Sequence, residues 1–193
     1  VSERERFYIQ ARYQTATGDQ SGLIQTYQMW KQTYPRDTTP RNNLSISFAQ
    51  LGRFDEALQE ALDANRIDES SPFPYANACS TYIALNRLPE ARAIAERGIA
   101  IRPAYSEPYR CLYTVAYLEG NAEGMAQAAE AGIKAGAAPH VAVVQLTTQL
   151  ALGKRREALK ALEALERSAE RAGRLETLAD SLWRVRNSLS DMG

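Results

Sequence analysis

The chain has no excess charge of either sign, because its 193 residues include 23 basic and 23 acidic side chains. Sequence-independent binding to nucleic acid needs a basic surface that displaces counterions from the phosphates. A formal net charge of zero therefore argues against that class of function. Long hydrophobic runs are also missing, since no stretch approaches the roughly 18 consecutive apolar residues of a membrane-spanning helix. With 45% hydrophobic residues, the composition is that of a soluble folded protein without a membrane span.

Metal ligands are scarce as well, because the chain contains two cysteines, Cys79 and Cys111, and one histidine, His140. These residues cannot form a four-sulfur metal site or supply the usual pair of histidine ligands, so no metal or other cofactor is expected. Each cysteine fits a small packing residue better than a ligand or a nucleophile. Nothing in the cysteine usage indicates an oxidising compartment, which predicts a cytoplasmic protein.

Catalytic motifs are missing too. The sequence has no Gly-x-x-x-x-Gly-Lys phosphate loop, no His-Glu-x-x-His and no Gly-x-Ser-x-Gly. A catalytic triad could be built only around His140, which follows Pro139 at a predicted helix start, where a solvated or capping role is favoured. Glu163, Glu166 and Glu170 alternate with basic residues, as on a solvated helix face. We therefore expect no enzymatic activity from this chain.

What the chain does contain is an internal repeat of a short turn followed by an alanine-rich helix. Its turn residues are Gly18, Gly52, Asn86, Gly120 and Gly153, spaced 34, 34, 34 and 33 residues apart. After the second turn, Ala57, Ala61 and Ala64 lie at i, i+4 and i+7 and share one helix face. Small residues on that face let a second helix approach closely. The matching residues elsewhere are Ala91, Ala95, Gly98; Met125, Ala129, Gly132; Ala158, Leu162, Leu165; and, bulkier, Leu23, Tyr27, Trp30.

A second apolar ladder precedes each turn and predicts the first helix of each unit. Its members are Phe7, Gln10, Gln14; Arg41, Leu44, Phe48; Tyr75, Ala78, Tyr82; and Tyr109, Leu112, Ala116. The same count in the fifth unit gives the mostly polar set Ala142, Gln145 and Gln149, which leaves open a frame shift of one residue. Prolines between the units mark helix boundaries independently of the apolar pattern.

The period of 34 residues with two helices per unit is similar to the tetratricopeptide repeat, and the stretch Leu51–Leu58 resembles the turn and second helix of that family. The resemblance implies an all-α, right-handed solenoid of antiparallel helix pairs. Five repeats are expected at about 4–37, 38–71, 72–105, 106–138 and 139–172. The remaining segment, 173–193, has leucines at helical spacing and is predicted to be a helix that caps the last repeat.

A narrower resemblance concerns the first repeat. The segments Ser2–Ile9, Thr17–Asp19 and Trp30–Asp37 look like the first repeat of tails in large bacterial signalling proteins, notably eukaryotic-like serine/threonine protein kinases. Arginine outnumbers lysine 19 to 4, which suits a bacterium with a GC-rich genome. Because the chain starts at Val1 without an initiator Met, we expect it to be part of a longer polypeptide with a kinase or sensor domain upstream.

By resemblance to the family, the first helices of the units line a concave groove that binds extended peptides or partner helices. The groove residues implied by this mapping are Tyr8, Arg12, Asn42, Asn43, Phe73, Asn77, Ser80, Arg110, Thr114 and Tyr117. Asn43 and Asn77 occupy the same place in consecutive units and could hold a peptide backbone, or could instead bond neighbouring turns or water. Arg12 and Arg110 could pair with a carboxylate or phosphate.

The family's chaperone-type carboxylate clamp is not reproduced, because Phe73 and Asn77 stand at its basic positions in the third unit. The leading hypothesis is a non-enzymatic scaffold that binds a peptide or protein segment in the groove. The alternative is a regulatory or oligomerisation tail of a larger bacterial signalling enzyme, acting on its own catalytic domain or on a second copy. The partner's identity is not encoded in the repeat pattern.

Overall fold

The computed structural model describes residues 2–136, 138–171 and 183, which form α-helices and turns without a strand. The all-α fold class expected from the repeat is therefore confirmed. In chain order the helices are α1 (Glu3–Thr17), α2 (Gln20–Thr33), α3 (Thr38–Gln50), α4 (Phe54–Ile67), α5 (Phe73–Ala84), α6 (Leu88–Ile101), α7 (Glu107–Leu118), α8 (Ala122–Lys134), α9 (Ala138–Ala151) and α10 (Arg155–Arg171).

The chain divides into two compact units, Val1–Arg102 with α1 to α6 and Pro103–Gly193 with α7 to α10. In the first unit each helix packs on the next one along the chain, and α3 also contacts α5. In the second unit α7 contacts α8 and α9, while α9 packs on α8 and α10. The predicted repeat boundaries remain predictions. The predicted capping helix at 173–193 lies outside the described residues, apart from Trp183, whose exposed fraction is 64%.

The five turn residues identified from the sequence all adopt the left-handed conformation. Their φ angles are 72° at Gly18, 73° at Gly52, 56° at Asn86, 69° at Gly120 and 72° at Gly153. After each one, the next backbone N–H donates to the carbonyl five residues earlier, as Arg53 N does to Phe48 O at 2.9 Å. This hydrogen bond is the wide bond of a Schellman helix end, which satisfies an otherwise unpaired carbonyl. Glycine serves here because it has no Cβ to clash at positive φ.

The small-residue faces of the second helices are buried. Ala57, Ala61 and Ala64 on α4 are fully inaccessible, as are Ala91 on α6 and Ala158 on α10. At Gly132 on α8, an added Cβ would lie 2.7 Å from Cγ2 of Val141 and 3.1 Å from Cβ of Tyr109. Both distances are shorter than van der Waals contact. The close approach of α8 to α9 and α7 therefore requires a residue without a side chain at position 132.

The frame of the fifth unit stays a prediction. The set counted back from its turn is half-buried on α9: Ala142, Gln145 and Gln149. The core contact of α9 with α10 is formed by Leu146 and Leu150, which pack with Ala158 and Leu162.

The first unit has an aromatic core around Trp30, which is only 2% exposed. Its indole ring stacks on Phe7, with ring centroids 6.1 Å apart and planes 10° from parallel, and also contacts Tyr27. The polar ladder residue Gln14 is buried, and its side-chain oxygen is satisfied by a hydrogen bond from Oγ1 of Thr26 at 2.8 Å. Gln10, the other polar member of this ladder, is exposed.

Candidate functional site

The predicted groove residues fall on the first helix of each of the first four predicted pairs, in both compact units. Tyr8 and Arg12 are exposed on α1, and Tyr8 is accessible over more than half of its surface. Asn42 and Asn43 are half-buried on α3; on α5, Phe73 and Ser80 are exposed and Asn77 is half-buried. Arg110, Thr114 and Tyr117 lie on α7, in the second unit. The contact between α3 and α5 brings the middle set together within one unit.

The amide groups on this face bond within the protein. Nδ2 of Asn77 donates to Oδ1 of Asn42 at 2.8 Å, which links α5 to α3. Nδ2 of Asn43 donates to the carbonyl of Thr39, one turn earlier in its own helix, at 2.8 Å. Of the two alternatives raised for the paired asparagines, these bonds favour the structural one, because both amide nitrogens are already engaged. Whether either amide also binds a peptide remains a prediction.

A cavity of about 300 Å³ opens beside the Asn42–Asn77 bond, between α3 and α5. We call it the α3–α5 cavity; two of its lining residues, Asn77 and Ser80, were predicted from the sequence. Its lining is Ser45, Ile46, Ala49, Gln50, Phe54, Asn77, Ser80, Thr81 and Ala84. Small residues face one another across it, which leaves the space open, while Ile46 and Phe54 give it apolar walls.

Ile46, Ala49 and Ala84 were not among the predicted site residues, although they lie on the same helix faces. The sequence-based prediction favoured polar and aromatic side chains, because those carry directional binding groups. The sequence feature that this prediction missed is the small size of the facing residues. Ala49 on α3 and Ser80 and Ala84 on α5 leave room for a ligand side chain. Ile46 is 40% exposed, a high fraction for an isoleucine in a helix that packs on three others.

The α3–α5 cavity is electrically neutral, since none of its lining residues is ionisable. Helix α5 contains no charged residue over its whole length from Phe73 to Ala84. The charged residue of α3, Arg41, pairs with Glu60 of α4, its Nη1 lying 3.1 Å from Oε2. Glu60 also binds Lys31 of α2, so these charges compensate one another within the protein.

A larger cleft, of about 750 Å³, lies at the other end of α3 and includes Arg4, Tyr34 and Asp37. The carboxylate of Asp37 accepts hydrogen bonds from Nε of Arg4 at 2.7 Å, Nε1 of Trp30 at 3.1 Å and the backbone N of Thr39 at 3.0 Å. Burial alone would raise the pKa of Asp37, but the bonds from Arg4 and Thr39 hold it below the ordinary value. Both carboxylate oxygens of Asp37 thus accept hydrogen bonds from the protein itself, which caps α3 and joins α1 to the core.

The arginines proposed to hold an anion differ in their surroundings. Arg110 donates from Nε to Oε2 of Glu107 on its own helix at 2.7 Å, and Thr114 Oγ1 donates to the Arg110 carbonyl at 2.9 Å. Arg12 is exposed on α1, in the other compact unit. The pairing of Arg110 with Glu107 makes it a poorer anion ligand than the sequence indicates, since a carboxylate already occupies its fork.

The described residues include no cluster of three or more histidine, cysteine, aspartate or glutamate side chains placed to hold a metal ion. Among the helices they form, none is both long and apolar enough to cross a membrane. Cys79 and Cys111 are buried, and neither is a free thiol. The cytoplasmic location argued from reduced, packing cysteines therefore loses that support, because oxidised cysteines persist in oxidising compartments.

Sequence comparison finds no family model that matches this chain and no matching curated protein. Solved structures do match. TTC0263, a thermophilic TPR protein of Thermus thermophilus, has a TM-score of 0.73 at 16% identity, covering 96% of this chain and 98% of that one. The MamA protein has a TM-score of 0.64 at 18% identity, covering 90% and 95%.

A third match, the first TPR of Spaghetti (RPAP3) bound to the HSP90 peptide SRMEEVD, has a TM-score of 0.57 at 18% identity. It covers 61% of this chain and 94% of that one. At such identities, structural likeness establishes the fold. The narrower resemblance to bacterial kinase tails stays a prediction.

Proposed function

We propose that this chain, which has the all-α helix-pair fold of tetratricopeptide repeats, is a non-enzymatic protein-interaction scaffold that binds an extended segment of another protein along α3 and α5. The observation that carries the proposal is the α3–α5 cavity, which is open, about 300 Å³ in volume and mostly apolar. A space of this size admits one large side chain, and ligand sites are typically concave, apolar and supplied with a few polar groups.

Two further features support this assignment. The cavity lies on the face that the repeat resemblance predicts to bind peptides, and it includes the predicted residues Asn77 and Ser80. One structural neighbour with the same fold was solved with a peptide bound. The Asn42–Asn77 hydrogen bond holds α3 and α5 together beside the cavity, so that the site is preorganised and little ordering is needed on binding.

The test uses a filled-cavity variant, Ser80→Leu with Ala84→Leu. Both positions are exposed helix residues that line the cavity, so leucine occupies the space and leaves the core intact. The matched control is Ala93→Leu with Ala100→Leu, two exposed positions on α6 that do not line the cavity. A random dodecapeptide library displayed on phage is selected against the full chain, and enriched peptides are synthesised and titrated by fluorescence anisotropy.

We expect the filled-cavity variant to weaken peptide binding at least about tenfold, which corresponds to the loss of about 1.4 kcal/mol. The control variant should bind as the parent does, and both should melt at temperatures close to that of the parent chain. Peptides that bind the parent and the filled-cavity variant equally, or a library that yields no binder, would refute the proposed site.

A further inference from the structure

The side chains along α5 that face the proposed site form a neutral stripe. Phe73, Asn77, Ser80 and Ala84 lie at i, i+4, i+7 and i+11, which keeps them on one face of the helix. The residues of α3 that lie on the matching face are also uncharged: Asn42, Asn43, Ile46, Ala49 and Gln50. The residues of this surface carry aliphatic and aromatic groups and amides, and none of these side chains is charged.

A charged side chain would be bound poorly in this place. On entering the cavity it would give up water and meet Ile46, Ala49, Ala84 and the ring of Phe54. An unpaired charge in apolar surroundings is strongly disfavoured, because it loses its hydration without gaining a partner. The Asn77 amide offers little compensation, because its Nδ2 group is held by Asn42. An aliphatic side chain, by contrast, binds more tightly as it removes more apolar area from water.

The arginine on α3 and the arginine that precedes α4 are each engaged with carboxylates. Arg53 at the start of α4 donates to Glu56, with Nε 2.6 Å from Oε1, and its guanidinium lies over the Phe48 ring, 4.4 Å from the ring centroid. Arg41 binds Glu60 and lies 3.6 Å from Asp63. These pairs leave little field to attract a charged ligand to the surface, in keeping with the zero net charge of the whole chain.

Spacing along α5 adds a second restriction. Phe73 is 52% exposed at the helix start, seven residues before Ser80 at the cavity. Seven residues of α-helix span about 10 Å, which an extended peptide covers in about three residues. A ligand that runs along α5 can thus place one apolar side chain against the Phe73 ring and another in the cavity.

We propose that the partner is an extended, uncharged protein segment with two apolar side chains about three residues apart, one against Phe73 and one in the α3–α5 cavity. This inference rests on the proposed function, since it specifies the ligand of the same site. It sets the chain apart from a scaffold that captures acidic peptide ends, because recognition is by apolar contact and is insensitive to salt.

The library selection described above tests this inference as well, because peptide composition and salt dependence are separate readouts from binding itself. Enriched peptides should lack Asp, Glu, Lys and Arg between two apolar residues. Their dissociation constants should change less than about twofold between about 0.05 M and 0.5 M NaCl, since only charge pairs are screened by salt. Replacing the cavity-filling residue of an enriched peptide by Glu should abolish binding to the parent chain.

Two variants of this chain test the preference for uncharged ligands from the protein side. Ala84→Lys places a charge at the cavity rim and should reject the neutral peptide while accepting its Glu-substituted form; Phe73→Ser should weaken the neutral peptide several-fold without changing the melting temperature. If enriched peptides are acidic or basic and bind less tightly in salt, yet still fail to bind the filled-cavity variant, this inference is wrong and the proposed function stands. If binding ignores the filled cavity, the proposed function fails, and this inference with it.

Discussion

Three hydrogen bonds converge on the carboxylate of Asp37, whose side chain is only 10% exposed. These bonds connect Arg4 of α1 and Trp30 of α2 to the first turn of α3, where Asp37 is the N-cap. Asparagine could still cap the helix, but it lacks the charge that pairs with Arg4. We expect Asp37→Asn to lower the free energy of unfolding by about 1 to 2 kcal/mol near neutral pH, measured by urea denaturation.

The same residue predicts a pH dependence. Because the pKa of Asp37 is lowered in the folded chain, the unfolded chain binds this proton more readily. Its stabilising contribution is fully present above the unfolded pKa, about 3.9, and is lost as the pH falls through the lower folded pKa. Urea midpoints measured from pH 7 to pH 3 should therefore fall further for the parent chain than for Asp37→Asn. Parallel curves for the two proteins would show that Asp37 contributes nothing.

Asn86 stands where the other four repeat turns have glycine, and its φ of 56° lies in the left-handed region. An Asn side chain tolerates this conformation better than most, and glycine tolerates it at no steric cost. We predict that Asn86→Gly raises the free energy of unfolding by up to about 0.5 kcal/mol and that Asn86→Ala lowers it by about 1 kcal/mol. Gly52→Ala, at the equivalent turn, should be destabilising in the same measurement; unchanged stability in both alanine variants would contradict this account.

At the scale of helices, α4 is joined to α2 and α3 by an ion-pair cluster where the next unit has buried, uncharged residues. Arg41 and Glu60 lie 34 residues before Tyr75 and Ile94, which are both buried. Glu60→Ile alone should lower the free energy of unfolding by about 2 kcal/mol, because it removes the carboxylate that binds both Arg41 and Lys31 and leaves Arg41 with the longer, 3.6 Å contact to Asp63. The double variant Arg41→Tyr with Glu60→Ile should recover most of that loss, since it places at these positions the residue types that are buried in the following unit.

Chemical denaturation of the two single variants and the double variant measures this coupling. The expected interaction energy exceeds about 1 kcal/mol and favours the double variant. Additive effects would mean that Arg41 and Glu60 do not depend on each other, contrary to the 3.1 Å contact between them.

The packing of α8 against α9 and α7 requires glycine at position 132. Alanine there would gain about 1 kcal/mol of helix propensity, but its Cβ would stand 2.7 Å from Cγ2 of Val141. Overpacking of this kind typically costs about 1 to 3 kcal/mol, so we expect Gly132→Ala to be destabilising overall by about 1 kcal/mol. Adding Val141→Ala removes the clashing methyl groups. If Gly132→Ala is more stable than the parent in thermal melts, the close approach does not limit the packing.

The predictable parts of the fold are those that depend on local pattern. A left-handed turn needs glycine or asparagine, and a close helix contact needs small residues at i, i+4 and i+7, so both are visible in the sequence. The α3–α5 cavity could not be predicted in this way, because its volume depends on the distance between two helices, which no local pattern specifies. Nor could the Asn42–Asn77 bond be predicted, because it joins residues 35 positions apart through rotamers that no periodicity encodes.

For the whole molecule, the division into two compact units predicts how stabilities combine. The partners of Glu60 all lie in Val1–Arg102, and those of Gly132 in Pro103–Gly193. Repeat arrays are stabilised by contacts between neighbours, and variants without shared partners add to within about 0.5 kcal/mol. We expect Glu60→Ile and Gly132→Ala to be additive in the urea midpoint analysis. A combined loss well below the sum would indicate that one unit unfolds without the other.

The two tryptophans differ in their surroundings, which affects the fluorescence of the protein. Trp30 is enclosed and stacked on Phe7, whereas the ring of Trp183 is 64% exposed, so the two indoles differ in emission wavelength and in access to acrylamide. In a Trp183→Phe chain, the remaining fluorescence reports the aromatic core of the first unit alone. That unit thus carries a natural probe, and stopped-flow mixing can time its folding without an added label.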